Sequence, residues 1–191
     1  MPAQLGQLDL APLPGPARAA RRLPADTWRQ ILAQPDNEAR YNLNVLRLRA
    51  SECWPWTGAI SSSGAGSMWA RADGRGHMVS AHSYGYQLLF GVIECEAGEW
   101  PVVRHACDEP FCQNFAHWQS GGPSENLNDW LRRRWNPASA LNDMRGARGR
   151  AAAVRDAALA SRAAGASAAG IASAVRQAME AGTPEPPDLL F

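Results

Sequence analysis

His105, Cys107, Cys112, His117 and Asn126 stand in the register H-x-C-x4-C-x4-H-x8-N, and no other feature restricts the chain so tightly. Three ligand-type side chains, Cys107, Cys112 and His117, fall within one short loop, and Cys53 lies upstream in CWPWTG. A structural zinc site takes four tetrahedral ligands drawn from Cys and His, and Cys53, Cys107, Cys112 and His117 supply a Cys3His set. Cys95 is the spare cysteine, either a substitute for Cys53 or a buried or free thiol. His105 and Asn126 then flank the site with no structural duty. An imidazole and a neutral oxygen donor, held in fixed relation by a metal-stapled loop, can activate water and hold a catalytic cation. An enzyme is expected.

The surroundings of the register give it an architecture. WPVVRHAC reads as a strand and FAHWQS as its partner, with the Cys-bearing loop between them. GGPSENLNDWLRRRW follows as a helix: Pro123 and Ser124 suit its entry, Glu125 its positive end, and Arg132, Arg133 and Arg134 its negative end. Leu127, Trp130, Leu131 and Trp135 recur at helical spacing, which predicts a buried face. The local order is strand, zinc loop, strand, helix.

Upstream, SMWARA and HMVSAH are short strands set off by the turns SSSGAG and ADGRG, so β-hairpins are expected. AHSYGYQLLFG reads as a short helix with Gly91 as its C-cap. In YNLNVLRLRASE, helix and strand compete. The residues Trp54, Trp56, Trp69, Trp100 and Trp118 are expected in the core of a small β domain. His82 reads as a structural hydrogen-bonding residue, His77 as solvent-facing, and Asn114 as a residue that orders the zinc loop.

Two strands ending at a His, followed by a helix that brings in an Asn, describe a ββα-metal core. The segment resembles the His-Me finger (HNH-type) nuclease superfamily, and its spacing is most similar to the His-Cys box homing endonucleases. The similarity covers about residues 51–130. It implies an α+β fold: a small zinc-stapled ββα-metal nuclease core with preceding β-hairpins. It also implies a metal-dependent DNA endonuclease or nickase of mobile-element or phage origin. In that reading His105 is the general base, Asn126 ligates a catalytic Mg2+ for which Mn2+ can substitute, and Cys53, Cys107, Cys112 and His117 hold a structural Zn2+. The alternative is a zinc-stapled DNA-binding module of the same fold without catalysis. Ser83, in Ala81-His82-Ser83, stands where the family carries an Arg, and Arg71, Arg75 or Arg104 are candidates to replace it. Asn114-Phe115 replaces the family's Asn-Pro.

Double-stranded DNA is the expected partner. Net charge is only +1, so there is no global basic field. Arg71, Arg75, Arg104, Arg132, Arg133 and Arg134 are the expected phosphate contacts. Cutting both strands takes two active sites, so a homodimer goes with a double-strand cut and a monomer with a nick, and the sequence leaves both open. No apolar run reaches the ~20 residues that a membrane helix needs, and the N-terminal stretch lacks a signal-peptide core. A cytoplasmic protein is expected, and there four cysteines read as metal ligands before disulfides.

Three segments follow from composition: 1–40, an N-terminal arm, partly flexible with a short helix around Trp28, Ile31 and Leu32; 41–136, the nuclease-like domain; and 137–191, an Ala-rich helical hairpin broken at Gly165, with Ser167 capping the second helix.

Overall fold

The computed structural model describes residues 23–94, 101–136 and 139–184. Cys95, Trp100 and most of the N-terminal arm and the C-terminal PEPPDLLF segment lie outside the described residues. The fold is mixed α and β. Helices α1 (Ala25–Leu32) and α2 (Pro35–Asn44) precede a three-stranded antiparallel sheet of β1 (Ala59–Ile60), β2 (Gly66–Ala72) and β3 (Arg75–Ser80), followed directly by α3 (Ala81–Phe90). Strands β4 (Val102–His105) and β5 (Trp118–Gly121) form a separate antiparallel pair, which leads into α4 (Pro123–Arg133). Helices α5 (Gly146–Ala163) and α6 (Ala168–Glu180) complete the described chain.

Local chemistry explains these elements. Asp73 and Gly74 adopt φ of 48° and 69°, so the two residues between the paired Ala72 and Arg75 close a hairpin whose twist matches that of its strands. Strand β2 alternates, with Met68, Ala70 and Ala72 turned into the core beside Ile31, Tyr41, Val45, Trp56, Val79 and Tyr84. Because β1 is short, the outer edge of β2 is open at Arg71. The buried Asn37 amide fills the gap, accepting from Arg71 N at 3.0 Å and donating to Arg71 O at 2.9 Å. Helix α2 thereby does the work of a missing strand, and the competition between helix and strand resolves as helix to Asn44 with an isolated bridge at Val45. Gly91 ends α3 at φ 89° and Ser167 Oγ accepts from Gly170 N at 3.2 Å, both as the sequence predicts. Of the tryptophans, Trp56 and Trp118 are buried, but Trp69 faces outward opposite Met78, on the solvent side of the alternating strand.

The second core joins the C-terminal helices to the Cys-bearing loop. Ala151, Val154 and Ala158 of α5 and Val175 of α6 pack on Phe111, with Ile60, Leu46, Leu48 and Cys53 at the edge. At its rim Arg150 is buried. Its Nε and Nη2 reach Glu109 at 2.9 and 2.5 Å, its Nη1 reaches Asp143 at 2.9 Å, and Met179 O accepts at 2.6 Å. The helical tail therefore shares its interior with the metal loop rather than hanging beside it. Arg150→Ala strands the Glu109 carboxylate in that interior, and the expected loss is about 3–5 kcal/mol in chemical denaturation. A change within a few tenths would show that the ion pair does not anchor the tail. No described helix is long and apolar enough to cross a membrane.

Candidate metal centre and adjoining cavity

Cys53 reaches the loop through backbone pairing. Pro55 bridges Cys112, Gln113 N donates to Trp54 O at 2.8 Å, and Trp56 N donates to Phe111 O at 3.2 Å. Asn114 locks the arrangement. Its Nδ2 donates to Ala50 O and Glu52 O, both at 2.7 Å, and its Oδ1 accepts from Ala116 N at 3.0 Å, starting the 3₁₀ turn Phe115–His117. Asn114 thus orders the loop, as its place in the sequence suggests. Asp108, at φ 58°, makes the tight bend after Cys107; short polar side chains tolerate that left-handed conformation better than most.

The ligand atoms of Cys53, Cys107, Cys112 and His117 all lie within 4.8 Å of one another. His117 Nδ1 sits 3.5 Å from Cys112 Sγ and 3.7 Å from Cys53 Sγ, so Nδ1 is the nitrogen that faces the cluster. Three thiols this close cannot all ionise without a cation. Hydrogen bonds from Cys107 and Cys53 push the Cys112 thiol down to about 4, while Cys53 and Cys107 are pushed up, Cys53 by its contacts with Cys107 and Cys112. A Cys3His donor set at this spacing, partly buried and clustered, fits a tetrahedral zinc. The cluster can hold one.

His105 ends β4, paired with Trp118 at the start of β5. Its Nε2 lies 3.0 Å from Cys112 O, and Trp118 Nε1 donates to the same oxygen at 3.1 Å. A carbonyl only accepts, so Nε2 carries the proton and Nδ1 keeps its lone pair. Burial lowers the His105 pKa below its ordinary value, favouring the neutral ring. His82 stands edge-on to it, ring centroids 4.7 Å apart at 76°. The Nδ1 of His82 is buried without a hydrogen-bond partner, so this residue packs against the site and does not serve it through a side-chain hydrogen bond. Burial holds it well below the ordinary histidine range.

His105 and Asn126 line one cavity of about 600 Å³, together with Arg104, Asp108, Asp129 and Arg133. Asn126 is exposed in the first turn of α4, whose entry is held by Glu125 Oε2 accepting from Gly122 N at 2.8 Å. Asp108 and Asp129 were not singled out in the sequence. Asp129 lies one helical turn beyond Asn126 and so shares its face, which is the signal that could have found it.

The arginines divide into two groups. Arg104 contacts Asp129 at 2.5 Å, and Arg133 contacts Asp108 at 2.6 Å while donating to His105 O at 3.2 Å. Both stand at the cavity, but in ion pairs. Arg71 and Arg75 are exposed on the β2–β3 hairpin and Arg132 on α4, and none of the three lines the cavity. Arg134 lies over the Trp130 and Trp135 rings. At the position where an Arg is absent, the Ser83 hydroxyl accepts from Ser80 Oγ at 2.7 Å, at the start of α3. The buried face expected for α4 is not found: no α4 residue is buried, and Leu127, Trp130, Leu131 and the following Trp135 are all exposed.

Two proteins of Escherichia phage T7 are similar to this chain. Protein 7.7 is 32% identical over 80 residues, which cover 42% of this chain and 55% of that protein. Protein 2.8 is 30% identical over 89 residues, covering 47% of this chain and 56% of that protein. The chain thus spans about half the length of the curated relatives it matches. No family model matches the chain, and no solved structure matches it.

Proposed function

We propose that this protein is a metal-dependent DNA endonuclease or nickase that hydrolyses phosphodiester bonds. The observation that carries the reading is the orientation of His105: a neutral ring, proton fixed on Nε2 by Cys112 O, at the wall of a cavity shared with Asn126. His105 Nδ1 takes a proton from the attacking water. The water oxygen bonds to phosphorus as the bond to the 3′ oxygen breaks. Asn126 supplies an amide oxygen, and the carboxylates of Asp108 and Asp129 add oxygen donors of the kind a hard cation takes. A bound Mg2+ would supply Lewis acidity on the phosphate and on the leaving 3′ oxygen. Arg104 and Arg133, released from their acid partners, would meet the phosphates. The zinc set, through the Cys112 peptide, keeps the base aimed. Similarity to two phage proteins agrees with a phage or mobile-element setting.

Incubation of supercoiled plasmid with the protein and Mg2+ tests this, with open-circular or linear product expected. A second reading, a DNA-binding module without catalysis, is favoured by one observation: the guanidinium groups nearest His105 are engaged by Asp108 and Asp129, and Ser83 offers no replacement. Retarded plasmid left uncut in both Mg2+ and Mn2+ would establish that second reading.

A further inference from the structure

Helix α4 presents apolar residues at helical spacing to solvent. Trp130 is 41% exposed and Trp135, just past the helix, 76%. Arg134 lies over both, its guanidinium carbon 4.4 Å from the Trp130 ring centre and 4.6 Å from that of Trp135. Beside them opens a cleft of about 550 Å³ lined by Trp130, Arg134, Trp135, Leu141, Asn142 and Pro184. Trp130 and Leu141 also line the cavity that holds His105 and Asn126, so the two hollows share a wall.

We propose that this cleft is a base-stacking subsite: an unpaired nucleobase next to the phosphate held at His105 lies against Trp130 and Trp135. The proposal rests on the nuclease reading and extends it from the phosphate to the neighbouring base. Three features point to a base rather than to a protein segment. The two indoles already take a planar, delocalised group against their faces, since the Arg134 guanidinium lies over both rings, and a base offers the same flat face. Arg132 stands exposed on the same helix and Arg134 lies over the rings themselves, which suits a polyanion and opposes close packing of a second, identical helix. The cleft also adjoins the cavity directly, so a strand bound at His105 passes the indoles without a detour. Base–aromatic stacking accepts any base, so this subsite would favour unstacked DNA without reading its sequence.

The test compares binding of oligothymidylate with binding of an abasic deoxyribose-phosphate chain of equal length and charge, without divalent metal. Stacking predicts that the thymidylate binds roughly 5- to 150-fold tighter. Trp135→Ala and Trp130→Leu are each expected to shrink that preference while leaving zinc content and affinity for the abasic chain unchanged. Trp130→Leu keeps apolar cover and removes only the flat π face. Equal affinity of the parent protein for the two chains would overturn the proposal, as would a preference that survives both substitutions. A concentration-dependent dimer that Trp135→Ala dissolves would assign the face to a second copy and also overturn it. Plasmid left uncut, with the thymidylate preference intact, would fault the nuclease reading alone.

Discussion

Cys112→Ser is expected to empty the metal cluster and to disable the adjoining cavity in one step. Cys112 is fully buried, and its sulfur faces His117 Nδ1 at 3.5 Å, inside the four-ligand cluster. A serine hydroxyl is a poor zinc ligand at neutral pH, and three remaining donors hold the ion far more weakly. Structural zinc sites in small units contribute on the order of 10 kcal/mol to folding, and the unit served here is small. Strands β4 and β5 have four residues each, and the helix that follows them buries none of its own. The same residue's carbonyl holds both His105 Nε2 and Trp118 Nε1, so when the loop loosens the His105 ring loses its orientation. The three-stranded sheet with α1, α2 and α3 has its own core and should persist. Metal analysis should find one zinc per parent chain and none in Cys112→Ser. Circular dichroism should show partial, not complete, loss of structure. Cys95→Ser as a companion should retain full zinc, which assigns the fourth ligand to Cys53. Full zinc in the Cys112→Ser protein would refute the cluster as a metal site.

The parts legible in the sequence are those decided by local chemistry. Ligand type and spacing gave the metal set, turn residues gave the β2–β3 hairpin, and Pro123 with Glu125 gave the start of α4. The parts that were not legible depend on partners distant in the chain. Arg150 and Glu109 are 41 residues apart, and nothing in an Ala-rich helix shows that one of its arginines will be buried against a metal loop. The α4 stripe is the instructive case. Helical spacing of Leu127, Trp130, Leu131 and Trp135 reports that a face is apolar, not what covers it. Ion pairs from Arg104 and Arg133 to Asp129 hold α4 at the cavity, and its apolar residues stay exposed, Leu127 and Trp130 at the cavity itself. Trp69 repeats the point, since a large aromatic on a strand is core only if its place in the alternation turns inward.

His105→Ala should abolish phosphodiester cleavage while leaving the metal cluster filled. The two effects separate because the His105 ring bonds the loop at Cys112 O, an oxygen that keeps Trp118 Nε1 as a donor after the ring is gone, while the backbone bond from Asp108 N to His105 O is independent of the side chain. The vacated space lies beside the His82 ring, which stands edge-on to it, so a local rearrangement is expected and not a collapse. A positioned general base is worth about 10²- to 10⁴-fold in rate, and a nuclease that loses it should fall to the background of a standard plasmid assay. His105→Gln sharpens the reading. Its Nε2 amide stands in for the imidazole Nε2 and can still donate to Cys112 O, but it has no basic lone pair, so orientation of the loop survives while proton abstraction does not. The expected result is therefore the same loss of cleavage in both variants, with DNA retardation and one zinc per chain preserved. Cleavage by His105→Gln near the parent rate would remove His105 from the role of base, whatever the cavity around it suggests. Zinc lost from both variants would mean instead that the ring holds the loop together, and the absence of cleavage would then say nothing about chemistry.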